Sequence, residues 1–231
     1  FIGEEEDVPD ASFGPFLPNR REWARTRCRF VGYILNFNPL QYSDCVALRR
    51  ELGYGLSPLV ICTVGGTSIG RELLELCGFA YPLLEQSIPD LQMVLVCGPR
   101  LDPGELRVPH GVKVEGYVPA LHKHLAACDL AVVQGGGTVT LELTALRRPF
   151  LFFPIEGHCE QEVYVADRLS RHRAGVRLRQ SVTSPAQLAE AILTNLRATV
   201  RWPDIPADGA RQAAEAILGL LQSSSQRSAA P

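Results

Sequence analysis

Apolar positions show no clear period over residues 1 to about 29, and from residue 58 the pattern becomes repetitive. Pro58-Leu59-Val60-Ile61-Cys62-Thr63-Val64 is a short run without polar alternation, as expected of a strand buried on both faces. A glycine-rich turn follows, after which Ile69, Leu73, Leu76 and Cys77 recur at helical spacing. Further strands are expected at 92–97, 112–114, 130–133, 150–153 and 175–178, with helices at 122–127, 138–146 and 161–170. Ser184-Pro185 places an N-capping serine before a proline at the first helical position, which opens another helix. A last amphipathic helix is predicted over 208–221, with Ala213, Ala214, Ile217, Leu220 and Leu221 on its apolar face.

Strand–helix repetition with doubly buried strands predicts an α/β fold, a doubly wound parallel sheet of the Rossmann-like kind spanning 58–221. The flanks read differently. Residues 1–57 carry Glu4-Glu5-Glu6-Asp7, three early prolines (Pro9, Pro15, Pro18) and Arg20-Arg21, and are expected to be an irregular hinge or connector with a short helix. Residues 222–231, rich in Ser, Gln and Ala, are predicted to be a disordered tail. The chain does not begin with Met and its first residues resemble neither a signal nor a transit peptide, so it reads as starting partway through something longer.

Composition narrows the function classes. Apolar residues make up 46% of 231 residues and charged residues 21%, enough to build a core. A net charge of -2 gives no electrostatic footprint for nucleic acid or an anionic membrane. No apolar run approaches the roughly 18–20 residues that span a bilayer. The seven cysteines are scattered without a C-x-x-C pair, and several lie in apolar runs. They read as reduced, buried hydrophobes in a cytoplasmic protein rather than a disulfide framework or zinc site.

In open parallel sheets ligands bind outside the carboxyl ends of the strands. Two glycine-rich turns fall there: Gly65-Gly66-Thr67-Ser68-Ile69-Gly70 after the first strand, and Gln134-Gly135-Gly136-Gly137-Thr138 after the fourth. Each opens a helix, whose free N–H groups and dipole favour an anion. The first turn is neither a Walker A motif nor the G-x-G-x-x-G fingerprint. Two such turns together suit a diphosphate. Glu142 lies four residues past Thr138, one helical turn on, where a carboxylate can accept hydrogen bonds from a ribose diol.

The segment from Val132-Val133-Gln134-Gly135-Gly136-Gly137-Thr138 through Glu142 to Arg147-Arg148-Pro149, followed by Phe152-Phe153-Pro154 and Glu160-Gln161, resembles the donor-site signature of GT-B glycosyltransferases. Similar proteins are the UDP-glycosyltransferases and the N-acetylglucosaminyltransferase of peptidoglycan synthesis. The resemblance covers about residues 30–221 and implies the nucleotide-sugar half of a GT-B architecture. It implies that Gly65, Gly66, Thr67 and Ser68, with Gln134, Gly135, Gly136, Gly137 and Thr138, hold the phosphates, and that Glu142 holds the ribose. Tyr117 and Val118 would lie beside the base, and Glu160 and Gln161 would hold sugar hydroxyls. His158, just before that pair, is a further candidate contact. The remaining histidines offer no metal-site spacing.

The implied activity is metal-independent transfer of a hexosyl group from a UDP-sugar, with no resident cofactor and with helix ends stabilising the departing diphosphate. A catalytic base is expected outside this chain, in an acceptor-binding N-terminal domain or a separate subunit, so the chain alone should bind but not transfer. Peripheral membrane contact through that missing half is compatible with this. An epimerase of the same architecture and a non-catalytic nucleotide-binding module are the alternatives.

Overall fold

A computed structural model of the chain describes residues 1–66, 68–196 and 198–228. The chain divides into two compact units, Phe1–Asn38 with Ile205–Pro231, and Pro39–Asp204. Its helices are α1 (Arg20–Arg27), α2 (Cys45–Glu51), α3 (Arg71–Ser87), α4 (Leu121–Ala127), α5 (Gly137–Ala145), α6 (Ala166–His172), α7 (Pro185–Asn195) and α8 (Gly209–Ser228). Its strands are β1 (Leu59–Thr63), β2 (Gln92–Val96), β3 (Lys113–Glu115), β4 (Leu130–Gln134), β5 (Phe150–Phe153) and β6 (Val176–Arg177). They form one parallel sheet in the order β3-β2-β1-β4-β5-β6.

The two faces of this sheet follow from side-chain alternation. Val60, Cys62, Leu130, Val132 and Phe153 point to one face, where Leu73 and Cys77 of α3 and Ile192 of α7 cover them. Their neighbours Ile61, Ala131, Val133, Phe150 and Phe152 point to the other, packed against α4, α5 and α6. Because both faces are covered, the central strands tolerate no alternating polar positions, which explains the continuous apolar runs in the sequence. The helix after β1 and the helix after β4 therefore leave the sheet on opposite sides. The crossover direction reverses between those two adjacent strands.

The amino end of the sheet is closed by a buried arginine. Arg49 of α2 donates through Nε to the carbonyl of Ala127 at 2.8 Å and pairs with Asp129 Oδ2 at 2.6 Å. The same carboxylate oxygen accepts the backbone N–H of Leu59 at 2.8 Å, so one ion pair joins α2 to the starts of β1 and β4. Trp202 donates to the Thr144 carbonyl at 3.0 Å and meets Phe150 edge-on, fastening the return segment below α5.

The predicted elements are present, with differences that have local causes. Ile69 sits in a 3-10 turn (Ser68–Gly70), and α3 then runs through Pro82 to Ser87. The helix expected at 161–170 begins as a π-helical turn (Glu160–Val165) before α6. Ser184 caps α7 as expected, in a reciprocal capping box with Gln187. Cys62, Cys77, Cys97 and Cys128 are buried and free, but Cys159 is exposed.

The organisation at the ends departs from the sequence reading. Residues 39–57 pack with the sheet unit, whereas 1–38 and 205–231 form the smaller unit, so the final helix does not belong to the sheet. Long-range pairing builds that smaller unit: a bridge between Gly3 and Gly32, another between Ile34 and Asp208, and the Gly209 N–H on the Tyr33 carbonyl at 3.0 Å. The Tyr33 hydroxyl lies between the carboxylates of Glu4 and Asp7, at 3.0 and 2.8 Å. Residues 222–228, read as part of a disordered tail, continue α8, because nothing in Gln-Ser-Ser-Ser-Gln-Arg-Ser stops a helix already nucleated. The rest of that tail, 229–231, lies outside the described residues. Ile217 and Leu218 of α8 are exposed.

Replacing Arg49 by Met leaves Asp129 and the Ala127 carbonyl without their shared donor. The expected loss is about 2–3 kcal/mol of stability, read as a lower urea midpoint at unchanged slope. A midpoint within experimental error of wild type would contradict the clamp.

Candidate functional site

The crossover reversal opens a crevice over the carboxyl ends of β1 and β4, and both glycine turns lie on it. After β1, Gly65 takes φ +76°. Gly98, after β2, takes φ +77°, and a Cβ there would stand 2.2 Å from the Gly65 carbonyl oxygen. The Gly98 N–H in turn donates to Gly116 at 3.1 Å, so the loops after β1, β2 and β3 are tied in sequence. Gly98 was not singled out from the sequence. Gly70 is the N-cap of α3 and offers no side chain to its N–H groups. Thr67 lies outside the described residues, and of Ser68 only the backbone is described.

After β4 the chain turns within three glycines. The Gly135 N–H donates to Phe153 at 2.9 Å, and a Cβ on Gly135 would lie 2.9 Å from Pro154 Cα and 3.3 Å from Gln161 Oε1. Only glycine fits that approach. Gly136 is the N-cap of α5 and leaves the helix without a side-chain cap. The N–H groups of Gly137, Thr138 and Val139, in the first turn, therefore have no intrahelical acceptor and concentrate the positive end of the dipole. Arg168 of α6 fixes this turn from behind, donating to the Gly137 carbonyl at 2.9 Å and to Thr140 Oγ1 at 3.2 Å. Sequence reasoning missed it, since an arginine in a helical stretch carries no signal of its own.

Glu142 follows one turn along α5, half-buried, with no hydrogen bond or ion pair to its carboxylate among the described residues. Burial pushes its carboxyl up to about 6. Glu160 lies beside the helix start, its Oε1 3.5 Å from where a Gly137 Cβ would stand. Gln161 is already engaged, its Oε1 accepting the Ile155 N–H at 2.9 Å, so it shapes the loop after β5. His158 is exposed, and its backbone carbonyl accepts the N–H groups of Gln161 and Glu162 at 3.0 and 2.9 Å.

Two expected groupings are looser than the sequence suggested. Tyr117 is 68% exposed and Val118 packs under the α4 face, both following β3 at the sheet edge. Three strand spacings, about 14 Å, separate β3 from β4. Gln134 continues the Leu130, Val132 alternation, so its side chain enters the α3 and α7 face, opposite α5 and Glu142. There it meets a cleft of about 450 Å³ that also touches Ile69 and Glu72. A second hollow, of about 470 Å³, lies away from the glycine turns, between α6 and β6. Among the described residues no three His, Cys, Asp or Glu side chains are placed to share a metal ion, and no helix is long and apolar enough to cross a membrane.

A doubly wound parallel sheet with this crevice is the fold of GT-B glycosyltransferases. The calicheamicin glycosyltransferase superposes on 80% of the chain with a TM-score of 0.56 at 22% identity, the chain covering 42% of it. A glycosyltransferase involved in lipopolysaccharide biosynthesis covers 75% at a TM-score of 0.52 and 18% identity, with 48% of its own length matched. Residues 60–214 match the glycosyltransferase family 28 C-terminal domain, and the chain belongs to that family. An uncharacterized glycosyltransferase of Methanopyrus kandleri is 28% identical over 205 residues, 85% of this chain and 55% of that protein. The UDP-N-acetylglucosamine–N-acetylmuramyl-(pentapeptide) pyrophosphoryl-undecaprenol N-acetylglucosamine transferase of Carboxydothermus hydrogenoformans is 27% identical over 154 residues, 63% of this chain and 40% of that protein. The chain thus spans about half the length of these relatives or less.

The raised Glu142 carboxyl has a stability consequence of definite sign. The folded protein holds this proton more tightly than the unfolded chain, so the contribution is fully favourable below the ordinary 4.5 and is lost as pH rises through about 6. Glu142→Gln removes that loss. The variant should match wild type near pH 4 and exceed it by about 1 kcal/mol near pH 7.5, a figure reduced for the group's partial exposure. Denaturant melts at the two pH values measure this, and a pH-independent difference would contradict the burial.

Proposed function

We propose that this chain is the donor-binding domain of a glycosyltransferase, holding a UDP-linked sugar in the crevice between the two glycine turns without a resident cofactor. The carrying observation is the uncapped start of α5 with an unpartnered, half-buried carboxylate one turn along it. Free N–H groups suit phosphate oxygens, and a carboxylate with unfilled acceptor sites suits the ribose diol. Gly65 and Gly66 approach the diphosphate from the other turn, where the α3 start adds a second positive helix end.

The chemistry follows from where charge develops. When a hexosyl group leaves, the nucleoside diphosphate gains negative charge, and donors fixed in advance stabilise it without reorganising. Arg168 contributes by holding the Gly137 carbonyl and thus the direction of the first helical turn. The Glu160 carboxylate beside that turn is placed for the sugar hydroxyls, with His158 at the loop surface and Tyr117 and Val118 toward the base. The acceptor and its general base belong to an N-terminal domain or a separate subunit, as the family's larger members suggest by their length. The uracil preference rests on the name of the Carboxydothermus relative.

Calorimetric titration of the full chain with UDP, dTDP and GDP tests this reading. UDP is expected to bind, and Glu142→Ala to weaken it by roughly 1–3 kcal/mol, about 5- to 150-fold. An unchanged affinity in the folded variant would remove Glu142 from the site. Efficient sugar transfer by the purified chain alone would contradict the division of labour with a second domain.

A further inference from the structure

We propose that the hairpin from Ser12 to Asn19, with the adjoining face of α1, docks on an anionic lipid surface by inserting its tip into the bilayer interface. The hairpin lies in the smaller unit, and its docking does not depend on what the crevice binds. Ser12 and Asn19 pair as an antiparallel bridge, and the Leu17 N–H donates to the Gly14 carbonyl at 3.1 Å, closing a tight turn around Pro15 and Phe16. The Ser12 hydroxyl braces the turn from within, 3.0 Å from the Gly14 carbonyl and 2.8 Å from that of Leu17.

Phe16 is the anomaly of this turn. It takes φ +66° at the third turn position, where glycine or asparagine is usual. For a bulky side chain the left-handed conformation is strained. The strain brings no burial: Phe16 is fully exposed, and Phe13, Leu17 and Trp23 are about half exposed. Backbone strain and apolar exposure thus coincide at one projecting tip. A strained, apolar residue with no partner inside the fold points to a partner outside it.

The surroundings of the tip select lipid. Arg20, Trp23 and Arg27 recur on α1 at i, i+3 and i+7, so they share one stripe of the helix. Trp23 meets Phe13 edge-on at 5.9 Å, and the Arg20 guanidinium stands 5.6 Å over the Phe13 ring, which joins stripe and hairpin into one surface. Neither arginine has an ion pair among the described residues, and Arg20 Nε is buried without an acceptor. Residues 11–18 carry no charge. Asp10, just before them, is taken by Arg21 at 3.6 Å and by the Asn19 amide at 2.7 Å, and Glu22 falls off the stripe. An uncharged tip, aromatic rings at its base and unpaired arginines beside them match the layering of acyl chains, interfacial belt and anionic headgroups. The whole-chain net charge of -2 averages this stripe away.

Flotation of the full chain with vesicles of phosphatidylcholine, alone or mixed with phosphatidylglycerol, tests the proposal. Wild type should bind the mixed vesicles about 10-fold more tightly than the neutral ones, and lose most of that binding at high salt. Phe16→Gly removes the inserted ring and relieves the turn. This variant should melt at or above the wild-type midpoint yet bind mixed vesicles about 10-fold more weakly. Arg27→Gln should weaken binding to mixed vesicles by about 3- to 5-fold and leave neutral ones unchanged. Tryptophan emission should move to the blue on binding; of the two tryptophans, Trp202 is already buried and hydrogen-bonded, so the shift reports Trp23. No binding to either vesicle, or equal binding by wild type and Phe16→Gly, would overturn the proposal. Self-association that depends on Phe16, without lipid binding, would assign the hairpin to a second copy of the chain and overturn it as well.

Discussion

Parallel neighbouring strands need crossover connections, and a right-handed crossover commits each helix to one face of the sheet according to the direction in which the chain moves. In this domain the direction changes once, between β1 and β4. That single reversal sends α3 to one face and α5 to the other, so the two adjacent strands can have no helix packed across their shared carboxyl end. The crevice is a topological necessity before any side chain is considered. What the sequence adds is a lining, and it does so by omission: glycine at both N-caps, where serine or aspartate would have satisfied the helix N–H groups internally.

The contrast with α7 makes the point. Ser184 and Gln187 close that helix start with a reciprocal pair of hydrogen bonds, at a place far along the chain from either turn. The helices at the crevice forgo this stabilisation, worth roughly 1 kcal/mol each. Glu142 shows the same economy, a carboxylate drawn out of water with no cation to compensate it. Against these costs stand Arg49 and its ion pair at the amino end of the sheet, and Arg168 behind the α5 start.

Much of this could be read from the residues. The continuous apolar runs located the strands because burial on both faces removes polar positions, and the glycine turns located the crevice. Gln134 could have been placed on its face by counting from Leu130 and Val132, but the family resemblance grouped it with its sequence neighbours. Gly98 was invisible because its need for glycine comes from the Gly65 carbonyl, a contact between loops rather than a local pattern. The smaller unit was illegible for the same reason: pairing of Gly3 with Gly32 and of Tyr33 with Gly209 joins segments too distant for periodicity to connect. The π-helical turn at Glu160 has no compositional mark.

The central claim is that uncapped backbone N–H groups at the two turns receive the phosphates. Backbone amide NMR of the full chain titrated with UDP, and separately with uridine, tests it most directly. The amides of Gly66, Gly137, Thr138 and Val139 should shift strongly with UDP and far less with uridine, which lacks the phosphates. Perturbations centred on the hollow between α6 and β6, or equal shifts with both ligands at the two turns, would contradict it.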